Sequence, residues 1–252
     1  MLDVSIIIPT YREKANLSRL LPVLFDELLR AGLAGEVVVV DDDSRDGTEE
    51  LCSAVAESEA LRLIVRRGER GLATAVLRGF EAASGDICVV MDADLSHPPE
   101  AIPELVAAIR ARDCDMAIGS RYVRGGGVDA GWSWSRRVNS RVATLLARGL
   151  TDMADPMAGF FAIRRSTLAR AAVLRPIGYK IALELIVRCD CRNVVEVPIL
   201  FQDRAVGESK MSLRQQWLYV RHLGRLYAAR FWTRRRVERE AVWEGGDRRR
   251  AA

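Results

Sequence analysis

Short apolar runs alternate with segments of helical spacing along the first half of this chain. Val37–Val40 is four consecutive valines, a pattern typical of a central parallel strand covered on both faces. Asn16–Arg30 has apolar residues at helical spacing and is followed by Gly32, which predicts a helix that ends there. Further strands are predicted at Val4–Ile8, Leu61–Val65, Ile87–Met91 and Met116–Ile118, and further helices at Thr48–Glu57, Ala73–Ala83 and Pro98–Arg112.

The alternation of strand and helix continues to Gly119. It favours an α/β fold with a central, mostly parallel sheet flanked by helices. Beyond this point the pattern changes, and Arg136–Leu150 is predicted to form a basic amphipathic helix. We predict three regions: a domain over 1–208, an amphipathic helix over 209–232 and a charged, flexible tail over 233–252.

The length and composition support one large folded domain with an unusual distribution of charge. The chain has 252 residues, of which 49% are hydrophobic, enough for a sizeable core. Residues 204–252 carry 13 Lys/Arg and 5 Asp/Glu, whereas the preceding residues carry 25 and 29. The basic end predicts an anionic partner, either phospholipid or nucleic acid. Aromatic residues are only 6% and no RNA-binding signature occurs, so nucleic acid is not expected.

The five cysteines are scattered along the chain without a pair of CxxC motifs. We therefore expect free thiols in a reducing compartment, and neither a zinc site nor a disulfide framework. The chain starts without a signal-peptide pattern, and no apolar stretch reaches the ~18 residues of a membrane span. These features predict a cytoplasmic protein, peripheral to the cytosolic face of a membrane if it binds one.

Carboxylates follow two of the predicted strands. Asp41, Asp42 and Asp43 end the valine strand, and Asp92 and Asp94 follow Ile87–Met91. Because ligands bind at the carboxyl ends of parallel strands, both groups should meet at one edge of the sheet. Asp92 and Asp94 offer only oxygen ligands, which predicts Mg²⁺ or Mn²⁺. Helix capping or an Asx-turn is the alternative role, most of all for Asp41 and Asp43.

Several motifs together resemble glycosyltransferase family 2. They are Pro9-Thr10-Tyr11-Arg12-Glu13, Val40-Asp41-Asp42-Asp43-Ser44 with Asp46-Gly47-Thr48, and Asp92-Ala93-Asp94-Leu95-Ser96-His97-Pro98-Pro99. Within that family, four later motifs are similar to the dolichyl-phosphate (polyprenol-phosphate) mannose synthases. These are Gly119-Ser120-Arg121-Tyr122, Gly159-Phe160-Phe161, Gly178-Tyr179-Lys180-Ile181 with Glu184, and Gly207-Glu208-Ser209-Lys210.

The resemblance implies a GT-A type nucleotide-diphospho-sugar transferase with 1–208 as its catalytic domain. It implies that Asp92 and Asp94 hold the metal on the donor diphosphate and that Arg204 and Lys210 close over that diphosphate, with Asp94, Arg204 and Lys210 as catalytic residues. The nucleotide would be bound by Pro9, Tyr11, Glu13, Val40, Asp42 and Asp92, and the acceptor phosphate by Arg121, Arg136 and Ser140. Ser96 stands where some relatives have a glutamine metal ligand, so water would replace that ligand or the metal would bind more weakly.

The residues also agree with the implied chemistry. A phosphate monoester acceptor is already anionic, so it needs arginines to hold it and no general base. One in-line displacement would invert the anomeric carbon. We expect His97, which precedes two prolines, to form a turn. Arg121 and Arg136 could instead belong to a solvated face, and Glu184, inside an apolar run, is expected to pair with a loop arginine.

Residues 209–232 contain five Lys/Arg and no acid. On a helical wheel, an apolar face with Arg214, Arg221 and Arg225 beside it predicts a helix in the headgroup region of a membrane. That face comprises Leu213, Trp217, Val220, Leu223, Tyr227 and Phe231. Packing on the sheet, or against a partner protein, is the alternative. Membrane binding would rest on this helix, on Arg136–Leu150, or on a separate membrane-anchoring protein.

The expected function is therefore transfer of mannose from GDP-mannose to a polyprenyl (dolichyl) phosphate. A family 2 transferase with another donor, such as UDP-glucose with undecaprenyl phosphate, is the alternative. A pyridine-nucleotide oxidoreductase is disfavoured because the first strand leads into Pro9-Thr10-Tyr11 and not into a GxGxxG turn. A nucleotide-binding protein without catalytic activity is disfavoured by the Asp92/Asp94 pair.

Overall fold

A computed structural model describes residues 2–112, 114–129, 134–171, 173–175, 180–202 and 217–231, except for the side chains of 112 and 134–140. The strands are β1 (Val4–Thr10), β2 (Gly35–Asp41), β3 (Leu61–Val65), β4 (Ile87–Val90), β5 (Met116–Ser120), β6 (Gly127–Val128), β7 (Phe161–Arg164), β8 (Val194–Pro198) and β9 (Leu200–Phe201). The helices are α1 (Lys14–Arg30), α2 (Thr48–Val55), α3 (Leu72–Ala82), α4 (Ile102–Arg112), α5 (Trp134–Ala147), α6 (Arg165–Leu168), α7 (Ile181–Arg188) and α8 (217–231).

The predicted α/β fold is confirmed. Seven strands form one sheet in the order β3-β2-β1-β4-β7-β5-β8, and β6 pairs with β9 in a small second sheet. All neighbours in the large sheet are parallel except those of β7, which runs antiparallel to β4 and β5. The predicted elements lie where the pattern put them, with small differences at their ends. The helix expected at Pro98–Arg112 begins with a 3₁₀ turn at Pro99–Ala101.

Two apolar clusters cover the two faces of the sheet. Alternate residues of β1 point to opposite sides: Ile6 and Ile8 pack with α1 and α4, whereas Ile7 packs with α3 and α7. Both faces are covered, so β1 and β2 consist of almost uninterrupted buried residues. All five cysteines are free, as predicted. Across the described ranges, no helix has both the length and the apolar character needed to cross a membrane.

A third apolar cluster joins α8 to α5 and α7. Tyr219, Leu223 and Leu226 of α8 are buried in it with Ala147 and Leu183. The prediction for Leu223 was therefore wrong: this side chain faces the protein and not a lipid surface, because the helix uses that side to cover α7. The alternative left open was packing on the sheet, but this side of α8 packs on the helices α5 and α7. Leu213 and Arg214 lie outside the described residues.

Glu184 is buried on α7 and pairs with a histidine and not, as predicted, with the side chain of a loop arginine. Its Oε2 lies 2.8 Å from His222 Nε2, and its Oε1 accepts a 3.0 Å hydrogen bond from the backbone N–H of Arg175. Arg188 is 3.5 Å away. Burial alone would raise the pKa of Glu184, but the contacts with His222 and the Arg175 N–H outweigh burial and lower it. This buried pair fastens α8 to α7.

We predict that His222→Ala destabilises the fold by about 3–5 kcal/mol, because it leaves a buried carboxylate without its principal partner. Urea unfolding at neutral pH would measure the loss. Arg225→Ala on the exposed side of the same helix is the matched control and should change the free energy of unfolding by less than about 0.5 kcal/mol. Equal unfolding curves for His222→Ala and Arg225→Ala would contradict the structural role of the pair.

Candidate functional site

The loops after β1, β2 and β4 meet at one edge of the sheet. Parallel pairing places Pro9 beside Val40 and Ile7 beside Val90, so the three strands end together. Each of these loops also holds a non-glycine residue in the left-handed region of φ. These residues are Arg12 (58°), Asp43 (55°), Arg45 (54°) and Leu95 (62°). Such conformations are costly and cluster where a site requires them.

The aspartates after β2 have different roles. Asp41 accepts the backbone N–H of Ser44 at 2.8 Å and also its hydroxyl, so it builds the turn, which is the alternative considered for it. Asp43 pairs with Arg45, its Oδ2 lying 2.7 Å from Nη2. The Arg45 hydrogen bond lowers the pKa of Asp43. Of the three side chains, Asp42 is the one that bonds to a distant segment within the residues that the structure describes.

Asp42 is buried and connects the second loop to the glycine-rich segment. Its Oδ1 accepts from Arg66 Nε at 2.7 Å and its Oδ2 from the Gly71 N–H at 2.8 Å. Arg66 donates further to Thr74 Oγ1 at 2.8 Å, in the first turn of α3. Gly71 has a φ of 144°, a value open to glycine and rare for other residues. The role of Arg66 was not predictable from the sequence, because an arginine after a strand is normally exposed.

A cavity of about 530 Å³ opens between the first two loops. Three arginines, two aspartates and a serine line it: Arg12, Arg45, Arg70, Asp43, Asp46 and Ser44. The ring of Tyr11 lies beside it, 4.5 Å from the Arg70 guanidinium carbon and 5.2 Å from that of Arg12. Pro9 and Val40 are buried under the cavity's floor in β1 and β2, and Glu13 accepts a 2.5 Å bond from Asn16. The predicted nucleotide-binding residues of β1 and β2 therefore come together.

Asp92 and Asp94 sit in a tightly bonded turn after β4. Asp94 is buried and accepts the Ser96 N–H at 3.1 Å, while the Asp92 N–H donates to His97 Nδ1 at 3.1 Å. His97 is stacked on Phe160, with ring centroids 5.2 Å apart. His97 thus forms a turn, as predicted, and its imidazole supports the backbone of the carboxylate pair.

The turn fits a hard divalent cation. The Ser96 hydroxyl oxygen is buried and has no hydrogen-bond partner among the residues that the structure describes, so a third oxygen stands beside the two carboxylates. A Cβ at position 159 would lie 3.4 Å from Asp92 Oδ2, and glycine there keeps this oxygen accessible. In the described part of the chain, no third Asp, Glu, His or Cys side chain joins the pair. The donor set is all oxygen, which suits Mg²⁺ or Mn²⁺.

The predicted phosphate-binding residues are described only in part. Arg121 follows β5 and is held by the buried Asp155, with Nε–Oδ2 and Nη2–Oδ1 distances of 2.7 Å; it is not part of a solvated face. Arg136 and Ser140 lie in α5, outside the residues with described side chains, and Arg204 and Lys210 lie outside the described residues. Neither Asp155 nor its contact with Arg121 was predicted, because 34 residues separate them.

The comparisons with known proteins agree on the family. The family model described as glycosyl transferase family 2 matches residues 5–170. A dolichol-phosphate mannosyltransferase of Pyrococcus furiosus is 45% identical over 229 residues, 89% of this chain and 64% of that relative. The protein of the same name from Mycosarcoma maydis is 41% identical over 91% of this chain and 80% of its own. This chain thus spans slightly less than two thirds of the first relative and most of the second.

Solved structures confirm the GT-A type fold. Glucosyl-3-phosphoglycerate synthase from Mycobacterium tuberculosis, crystallised with Mn²⁺, UDP-glucose and phosphoglyceric acid, superposes with a TM-score of 0.65 at 19% identity. The match covers 91% of this chain and 79% of that one. At this identity the likeness extends to the fold alone.

We predict that Asp94→Asn weakens Mn²⁺ binding by about tenfold or more, because a neutral amide replaces a charged ligand. Titration calorimetry with MnCl₂ would measure the affinity, and thermal melting would verify the fold. Asp190→Asn is the matched control: Asp190 is an exposed aspartate that pairs with Arg192, and it should bind Mn²⁺ as the wild type does. Unchanged affinity in Asp94→Asn would rule out this turn as the cation site.

Proposed function

Because this chain belongs to glycosyl transferase family 2 and is a glycosyltransferase, we propose that it transfers mannose from GDP-mannose to a polyprenyl (dolichyl) monophosphate. The transfer inverts the anomeric carbon and takes place at the cytosolic face of a membrane. The observation that carries the proposal is the arrangement along one sheet edge: the arginine-lined cavity, the Asp92/Asp94 turn and the Arg121–Asp155 pair follow one another in space.

The cavity between the first two loops suits a guanine nucleotide. Guanine presents acceptors at O6 and N7 and a donor at its exocyclic amine. Arg70 and Arg45 offer guanidinium donors, and Asp43 and Asp46 offer carboxylate acceptors, in the cavity lining. Tyr11 would stack on the base or ribose. Burial alone would raise the pKa of Asp46, but hydrogen bonds from Thr48 and the Lys14 N–H lower it, which keeps this carboxylate charged at neutral pH.

Asp92, Asp94 and Ser96 would hold the divalent cation that neutralises the departing diphosphate, with Arg204 and Lys210 predicted to approach from the segment after β9. The acceptor phosphate is the nucleophile. It is anionic near neutral pH, so no side chain has to remove a proton from it. His97, whose Nδ1 accepts the Asp92 N–H, acts as a structural residue. A single displacement by phosphate inverts the sugar carbon and yields a β-linked product from an α-linked donor.

The lipid acceptor requires a membrane-facing surface, and α5 and α8 supply one. Seven large apolar side chains of these two helices are exposed: Val142, Leu145 and Leu146 of α5 and Trp217, Val220, Tyr227 and Phe231 of α8. Tyr227 joins the helices by donating to the Leu146 carbonyl at 2.8 Å. Arg221 and Arg225 are exposed beside them. An apolar patch rimmed by arginines fits shallow insertion among anionic headgroups, with or without a separate membrane-anchoring protein.

We expect GDP-mannose to be used in preference to UDP-glucose when both are offered with farnesyl phosphate and Mg²⁺ or Mn²⁺. Radiolabelled donors would measure turnover, and NMR coupling constants would show a β-linked product. Asp43→Asn should reduce turnover with GDP-mannose more than turnover with UDP-glucose, because a neutral amide, which also carries donors, replaces the charged acceptor for the guanine amine. Preference for UDP-glucose would identify the alternative donor, and an α-linked product would exclude a single displacement.

We predict that Arg221→Glu with Arg225→Glu weakens binding to vesicles containing anionic phosphatidylglycerol. Each arginine near an anionic surface contributes about 1 kcal/mol, so losing two attractions gives a decrease of roughly 30-fold or more. Co-sedimentation at low and high salt would measure it, with Arg192→Glu as the control for charge reversal elsewhere. Activity should fall on a long-chain acceptor and persist on farnesyl phosphate. Equal losses on both acceptors would assign α8 to the fold alone.

A further inference from the structure

A cluster of charged side chains lies behind the Asp92/Asp94 turn. Asp155 is fully buried and binds Arg121 through both the guanidinium and the backbone N–H, the latter at 3.1 Å. The N–H of Asp155 in turn donates to Glu196 Oε1 at 2.9 Å. Asp155 is thus fixed from two sides, which holds the Arg121 guanidinium in one orientation.

Lys180 adds a second cation to this cluster. It directly precedes α7, and its Nζ lies 6.0 Å from the centre of the Tyr219 ring of α8. Burial, and secondly the positive charge of Arg121, lower the pKa of Lys180 to about 8, while Asp155 partly opposes them. A buried ammonium that is destabilised in this way gains from an additional anion.

The cluster lies between the donor side and the proposed membrane surface. The Arg121 guanidinium carbon is 5.4 Å from the Phe201 ring, and that ring is 5.3 Å from His97. His97 supports Asp92, so only two aromatic rings separate Arg121 from the carboxylate pair. On the opposite side, Tyr219 belongs to the helix that exposes Trp217. A lipid phosphate entering from the α5–α8 surface toward the donor would meet Lys180 and Arg121.

We propose that Lys180, together with Arg121, binds the phosphate of the lipid acceptor; this assignment rests on the proposed function. The lysine contributes a compact point charge with three rotatable donors, and the arginine contributes a fixed planar one. Two side-chain cations beside one carboxylate leave a positive charge that attracts a phosphate dianion without fully neutralising it. Lys180 forms no covalent bond in this role: it orients the nucleophile.

The direct test is binding of farnesyl phosphate, measured by titration calorimetry without donor. Lys180→Met should weaken binding by about 10- to 100-fold, the loss expected for a charge-assisted hydrogen bond. Lys180→Arg should restore most of it. Arg192→Met is the matched control, since the Arg192 side chain is exposed and pairs with the exposed Asp190. In turnover, Lys180→Met should raise the KM for farnesyl phosphate and leave the KM for the donor unchanged.

The pH dependence provides a readout that a purely structural lysine would not alter. The groups that act on Lys180 include Arg121, Asp155 and the Tyr219 ring. Asp155 raises the pKa of Arg121 despite burial, so Arg121 stays charged. The protonated lysine is the binding form, so kcat/KM for the acceptor should fall as the pH rises through about 8. In Lys180→Arg this fall should be absent, because guanidinium stays protonated to above about pH 12.

Two failures are distinguishable. If the wild type transfers no sugar to farnesyl phosphate from any donor, the proposed function is wrong. The other failure is that the wild type transfers sugar while folded Lys180→Met binds farnesyl phosphate with wild-type affinity. In that case Lys180 does not bind the acceptor phosphate, and the proposed function of the enzyme is unaffected. Should Lys180→Met melt well below the wild type, Lys180→Gln replaces it in the same titration. An unchanged pH profile in Lys180→Arg would equally overturn the assignment.

Discussion

Repulsion among five aspartates at one edge of the sheet is the constraint from which the site follows. Parallel strands bring Asp41, Asp42, Asp43, Asp92 and Asp94 to that edge, and carboxylates brought together raise the free energy of the fold unless donors or cations compensate. The compensating contacts differ from one aspartate to the next. Asp41 is bonded within its own turn and Asp42 to Arg66. Asp43 pairs with Arg45, and Asp94 accepts a backbone N–H. The loops are shaped by these contacts.

One consequence is that the glycine-rich segment has a fixed position. Arg66 bonds Asp42, Thr74 and the Gly71 carbonyl, so the segment before α3 is fastened to the loop after β2. The wall of the arginine-lined cavity, including Arg70, depends on this buried pair. Asp42, which the sequence suggests as a nucleotide-binding residue, therefore also supports the cavity in which the nucleotide would bind.

The sequence predicted the parts of the site that local pattern determines. An unbroken valine run implies a strand buried on both faces, and parallel pairing then places the carboxylates after β2 and β4 at one edge. Contacts between distant segments were not predictable. Asp155 reaches Arg121 across 34 positions and His222 reaches Glu184 across 38. The antiparallel direction of β7 also escaped prediction, because four residues carry no signal about their neighbours.

The same limit explains the error at Leu223. A helical wheel sorts residues into an apolar side and a basic side, yet α8 has two apolar sides: Leu223 and Leu226 pack on α7, whereas Trp217 and Val220 remain exposed. The inward side also carries His222, which contacts the buried Glu184. This contact and the packing of Leu223 and Leu226 together fix the rotation of the helix.

In the proposed reaction, the two ends of the site have opposite electrostatic tasks. The departing diphosphate gains negative charge, so a divalent cation held by Asp92 and Asp94 would stabilise the transition state more than the ground state. The attacking phosphate loses negative charge in the transition state. A divalent cation beside it would therefore stabilise the ground state more than the transition state and slow the reaction. Arg121, which is already paired with Asp155, and Lys180 would bind the phosphate while neutralising less of its charge than a divalent cation would. The strong charge on the donor side and the moderated charge on the lipid side therefore both favour transfer of the sugar toward the membrane.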